Sequence, residues 1–211
     1  MRMRRWAGWA AVGACVLYGG FAFTAAGAVL AGGDSGRSAP PLFVIHAVAG
    51  GVALIAGAAQ LRLGRPPGNG VHRLLGRTYV ISAWVTAAGS LGVAASFDAG
   101  VAGRVALGLG AVLWFVSTTV AYRRIRAGRA AEHRRWAVRS FALAFFFVTF
   151  SLWVPLFAAT PQPEAVGYPV AVVLSWGLNL AAAETWIRRS GPARRAVPVR
   201  RPPAARAPAR R

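Results

Sequence analysis

Three histidines (His46, His72 and His133) and five carboxylates are the groups with which this chain could do acid–base or metal chemistry. Two of the histidines precede an arginine, and His72-Arg73 and His133-Arg134 stand 61 residues apart. Imidazole nitrogen ligates metals and haem iron and titrates near neutrality. Guanidinium grips carboxylate or phosphate with paired hydrogen bonds. Around the two His-Arg pairs the sequence adds Gln60, Arg62, Arg77, Arg139 and Glu184, which together make a candidate anion-binding set. The acids are Asp34, Asp98, Glu132, Glu164 and Glu184, too few and too scattered for a general acid–base pair. Glu132 and His133 are adjacent and point to different sides of a helix, and no pair of ligands recurs at zinc spacing. No nucleophile triad, phosphate loop or dinucleotide fingerprint stands in a fitting context, so an enzyme is disfavoured and no catalytic residue or metal site is assigned.

The elements that must position these groups are membrane helices. The chain has 211 residues, of which 56% are hydrophobic and only 14% charged, against about a quarter charged in soluble domains. A span needs about 20 mostly apolar residues. Six stretches meet that, at 7–31, 42–61, 77–97, 103–122, 139–158 and 168–187. All 25 basic residues are arginine, and on six spans all but Arg37 and Arg104 fall on one side. Basic loops stay cytoplasmic, which places both termini inside and the protein in the cytoplasmic (inner) membrane. The expected fold is therefore all-α: a polytopic six-helix transmembrane domain over 1–189. An Arg/Pro/Ala-rich tail, 190–211, follows it and is expected to be disordered on the cytoplasmic side. The net charge of +20 would suit nucleic acid, but its confinement to loops and tail fits anionic lipid headgroups better, and nucleic acid is not expected as a partner. The single cysteine, Cys15, excludes an intramolecular disulfide. The opening apolar run of about 25 residues exceeds a signal core and reads as a retained first helix.

Periodicity places the polar residues on helix faces. His46, Gly50, Ala53, Gly57 and Gln60 share one face of the second span; His72, Gly76, Tyr79, Ala83, Thr86 and Ser90 share one face of the third. His133, Ala137, Ser140, Ala144 and Ser151 make a similar stripe in the fifth. Small residues along these faces permit close helix approach. The repeated His-Arg start suggests a parallel duplication, the second and third spans against the fourth and fifth. Pro155 is expected to kink the fifth span near its outer end.

Four groups of residues carry a family resemblance: His46 with Gly50, Gly57, Gln60 and Arg62; His72-Arg73 with Gly76-Arg77 and Tyr79; Tyr122, Arg124 and Arg126 followed by His133-Arg134, Trp136, Arg139 and Ser140; and Trp176, Asn179 and Glu184. Together they resemble a bacterial family catalogued as domain of unknown function 2306, over about two thirds of the chain. Ala137, Phe150 and Ser151 depart from the family pattern. The resemblance implies a polytopic membrane protein and brings no activity with it.

Several expectations follow. The leading one is a non-enzymatic binding or transport module whose Gln60, Arg62, His72, Arg73, Arg77, His133, Arg134, Arg139 and Glu184 engage an anionic small ligand or lipid headgroup. The alternative is a b-type haem on His72 and His133, which a plain interfacial-anchoring role for the two His-Arg pairs opposes. A two-haem relay is disfavoured, because it takes four axial ligands and the chain has three histidines. The third class is a structural or assembly partner, with oligomeric state left open. Glu184 is expected to pair with Arg188 one turn on. Asn179 is expected to hydrogen-bond another helix. His46 is the outer-side polar group, a hydrogen-bonded buried histidine or a sensor of external pH.

Overall fold

The computed structural model describes residues 2–32, 40–63, 70–96, 99–161 and 163–190. Side chains of residues 2–8, 40, 62, 63 and 164 fall outside that description, as do residues 191–211, which hold all but the first residue of the expected tail. Ser190, that first residue, ends the last helix.

Among the described residues seven helices make six spans long and apolar enough to cross a membrane: α1 (Arg2–Leu30), α2 (Pro40–Leu63), α3 (Gly70–Ser96), α4 (Gly100–Arg126), α5 (Ala130–Ala144), α6 (Phe146–Ala158) and α7 (Glu164–Ser190), with α5 and α6 joined in one 29-residue span. No strand occurs among the described residues. In hydrocarbon a chain must satisfy its own backbone polar groups, and helices do this within one segment. The helices run past the expected spans at the arginine-rich end. There α3 starts at Gly70, α4 continues to Arg126 and α5 begins at Ala130. His72 and His133 therefore sit in the first turn of their helices, not in loops.

The distribution of side chains is that of a protein dissolved in lipid. The buried interior is mostly Ala, Ser and Thr, including Ala53, Ala83, Ala144, Thr86, Thr118 and Ser140. Large apolar residues such as Leu17, Phe21, Val101 and Leu152 point outward. Association of helices in lipid relies on close packing rather than on burial of oil from water, and small residues provide it. A Cβ on Gly57 would meet the Phe141 ring at 2.6 Å and Tyr79 at 2.9 Å, and one on Gly76 would meet Gln60 Nε2 at 2.7 Å. Neighbours in sequence pack antiparallel, with Gly89 against His46 and Gly76 against Gln60 between α2 and α3. The last helix instead runs parallel to α4, Tyr168 against Gly103 and Trp176 against Gly110.

The fifth span breaks at Phe145, ten residues before the proline expected to kink it, while α6 continues through Pro155 to Ala158. Val148 N bonds to Phe145 O three residues back, and the Thr149 hydroxyl lies 3.3 Å from the same carbonyl. A hydroxyl that back-bonds to its own helix competes with the backbone ladder and bends it. Asn179 Nδ2 donates to Thr149 Oγ1 at 3.0 Å, which ties α7 to α6 just past the break.

Candidate functional site

A cavity of about 570 Å³ opens at the arginine-rich end between α2, α3, α4 and α5. Its mouth carries Arg73, Arg77 and Arg126, all exposed, and no carboxylate among the described residues lines it. Its walls are apolar and aromatic: Leu61, Val80 and Ile81, Trp84 and Tyr122 edge to face at 5.7 Å, and Phe141. Trp84 is held in place by its indole N–H, which donates to Thr119 Oγ1 at 3.0 Å.

Tyr79 and Thr118 line the cavity and belong to a buried polar cluster. The Tyr79 hydroxyl lies 2.7 Å from Ser140 Oγ, Thr118 Oγ1 lies 2.7 Å from the same oxygen, and Trp114 Nε1 donates to the Tyr79 oxygen at 3.3 Å. This cluster joins α3, α4 and α5 at one depth. Ser140 has no exposed surface, so each bond replaces water that cannot reach it.

Two turns nearer the mouth stand the histidines, both lining the cavity. His133 Nδ1 lies 2.9 Å from Ala121 O. A carbonyl can only accept, so Nδ1 carries the hydrogen and the neutral ring keeps its lone pair on Nε2. The backbone oxygen of His72 accepts from Gln60 Nε2 at 3.1 Å, and the bare Cα of Gly76 leaves room for that amide. His72 Nδ1 is buried without a hydrogen-bond partner among the described residues. Such an atom costs free energy until a ligand or water meets it.

The structure divides the set read from the sequence. Gln60, His72, Arg73, Arg77 and His133 line the cavity. Arg134, Arg139 and Glu184 do not line it, and both arginines contact α7 instead. Arg139 donates to Glu184 through Nε at 2.5 Å and Nη2 at 3.1 Å, a two-pronged pair, and its guanidinium also covers Trp136 with 4.7 Å to the ring centre. Arg134 covers Trp186 at 5.5 Å. The Arg62 side chain lies outside the described residues. Arg139 thus satisfies a carboxylate of its own protein instead of facing the cavity. The expected partner of Glu184 is corrected as well: Arg139 of α5 holds it, and Arg188 forms no ion pair with it among the described residues. A guanidinium fork from a facing helix offers two hydrogen bonds, which a flexible neighbour one turn along does not match.

Trp84, Tyr122, Thr118 and Arg126 belong to the cavity without having been singled out as site residues. Arg126 had a signal, since it follows Arg65 at the same 61-residue offset that relates His133 to His72. The two hydroxyls that meet at the cavity floor, Tyr79 and Ser140, are related by that offset too.

A second, smaller pocket of about 90 Å³ lies toward the other end, where His46, Ser90, Trp114, Phe147 and Trp176 meet. His46 Nδ1 is 3.2 Å from Thr86 O and 3.3 Å from Ser90 Oγ. No group of three or more His, Cys, Asp or Glu side chains among the described residues could hold a metal ion.

The family described as predicted membrane protein, DUF2306, matches residues 43–187. The chain belongs to this family. The match runs from the start of α2 to the last turns of α7 and so contains every described wall of the cavity, with α1 outside it. No curated protein and no solved structure matches the chain. What the family establishes is a membrane protein of several apolar helices, and the function has to be argued from the site.

Proposed function

We propose that the protein is a non-enzymatic binding module for an anionic amphiphile, taken up in the cavity at the arginine-rich end. The observation that carries this reading is the pairing of three exposed arginines, with no acid among the described residues at the mouth, with an apolar, aromatic interior of about 570 Å³. Ligand pockets of this size class bury most of a small molecule against apolar walls and orient it with a few polar groups. An acidic head would meet Arg73, Arg77 and Arg126, and the apolar body would lie against Ile81, Trp84 and Phe141. Basic loops are retained in the cytoplasm, so the mouth faces that side of the cytoplasmic membrane, where anionic headgroups supply further negative charge.

A fluorescent long-chain carboxylate titrated into the detergent-purified full chain tests this reading. Replacing Arg73 and Arg77 together by Gln should weaken binding at least tenfold, since each removes a charge-assisted hydrogen bond of about 1.5–3 kcal/mol. Arg134→Gln, outside the cavity lining, should leave affinity unchanged. Equal affinity in all three proteins, or no binding by any, would reject the proposal.

A further inference from the structure

We infer that the amphiphile is an iron tetrapyrrole, a b-type haem held between His72 and His133; this rests on the anionic-amphiphile reading and narrows it. Tyr79 and Ser140 meet at 2.7 Å on the cavity floor, and each stands seven residues after a histidine in its own helix. The two helices run in the same direction, and seven residues of helix rise about 10 Å. His72 and His133 therefore flank the cavity at one depth, two turns above a shared contact. Both line the same space, as two axial ligands of one iron must.

The state of the His133 imidazole agrees. A metal-ligating histidine commonly donates its second nitrogen to a carbonyl, which fixes the tautomer and turns the other nitrogen to the metal. His133 does this with Ala121 O, leaving Nε2 as the ligating atom. In His72 the ring nitrogen Nδ1 is buried and unpartnered among the described residues. A fatty acid or a phospholipid would satisfy the arginines and leave both imidazoles unused. Haem uses every part of the site: iron for the two imidazoles, a flat apolar ring for the aromatic and aliphatic walls, and two propionates for the arginines at the mouth. Coordination takes two neutral imidazole lone pairs and moves no proton, because His133 keeps its Nδ1 hydrogen on Ala121 O.

The test is an absorption spectrum of the full chain purified from haem-replete cells, with haemin as the probe for any unloaded fraction. Loading near one haem per chain is expected, with a six-coordinate low-spin spectrum that sharpens on dithionite reduction. His72→Gly and His133→Gly should each lose the low-spin bands, and added imidazole should restore them, which separates ligation from failure to fold. A colourless protein that gives no low-spin spectrum with haemin overturns the inference. So does a low-spin spectrum that survives both replacements, or a loss that imidazole does not restore. If haem fails while the carboxylate probe still binds in an Arg73- and Arg77-dependent way, only the haem assignment falls. If neither binds, the broader reading falls with it.

Discussion

The two His-Arg entrances share a sequence and differ in use. On α3, Arg73 lines the cavity and His72 has a ring nitrogen without a partner among the described residues. On α5, His133 is anchored to Ala121 and Arg134 turns away to cover Trp186. The difference comes from the neighbours. The first turns of α3 pack against α2, and the arginine there lines the cavity. The first turns of α5 have α7 on their other flank, with Trp186 and Glu184 offering an aromatic face and a carboxylate. The repeated His-Arg motif thus brings two imidazoles to one cavity, one anchored and one not, and places its two arginines differently. The lesson is that two imidazoles can reach one cavity through a repeated spacing, while placement of charge follows from whatever element stands beside one repeat and not the other.

The sharpest way to break the comparison is to separate the two helices at their shared contact. Gly57 of α2 lies between Tyr79 and Phe141, and a Cβ there would stand 2.6 Å from one ring and 2.9 Å from the other. Neither ring can yield without moving the Tyr79–Ser140 bond or the cavity wall. Gly57→Ala should cost about 1–3 kcal/mol, the usual range for overpacking a filled interior. A clear fall in the thermal midpoint in detergent is expected, together with weakened binding of the carboxylate probe. An unchanged midpoint would mean that α3 and α5 are not held in register by this contact.

A smaller effect tests the side that breaks the symmetry. Glu184→Gln removes the carboxylate that draws Arg139 toward α7 and leaves the guanidinium with a weaker acceptor. Both side chains are partly exposed, at 23% and 36%, so solvent screens much of the loss. A destabilisation of about 1 kcal/mol or less is expected, read as a small drop in the thermal midpoint. The probe should bind as before, because this pair lies outside the cavity. A loss of binding equal to that of the Arg73 and Arg77 replacement would merge the two regions into one site.

Much of the fold was legible in the sequence, because the bilayer leaves few choices. Length, hydropathy and arginine position lead to six spans, and the described residues contain six helices long and apolar enough to cross. The small-residue faces were legible for the same reason, since close packing in lipid needs them. The site was legible in part. Residues on a helix face can be grouped by their 3.6-residue period, but which other helix that face meets is a tertiary fact. Arg134 and Arg139 were grouped with His133 by nearness in sequence, while the helix turns them toward α7. Glu184 was paired with Arg188 because i,i+4 partners are visible in one dimension and facing helices are not. The break at Phe145 was hidden for a related reason. A threonine hydroxyl that bonds back to its own helix stands just past it, but Thr86 and Ser175 do the same in unbroken helices, so nothing in the sequence marks the position.

The gentlest perturbation bears on the arginine that symmetry would put in the wrong place. If Arg134 served the cavity as Arg73 does, replacing it would cost probe affinity. Its guanidinium instead lies over Trp186 at 5.5 Å, and contacts of this kind at exposed positions contribute about 0.5–1 kcal/mol. Arg134→Ala should therefore lower the thermal midpoint slightly and leave the carboxylate titration unchanged. Trp186→Ala should do the same, and the double replacement should cost less than the sum, since each single change already removes the shared contact. Additive losses would mean that the stacking contributes nothing and that Arg134 acts through the membrane surface alone. A loss of probe affinity in Arg134→Ala would instead restore the symmetric picture, with both arginines at one mouth and the role of α7 overstated.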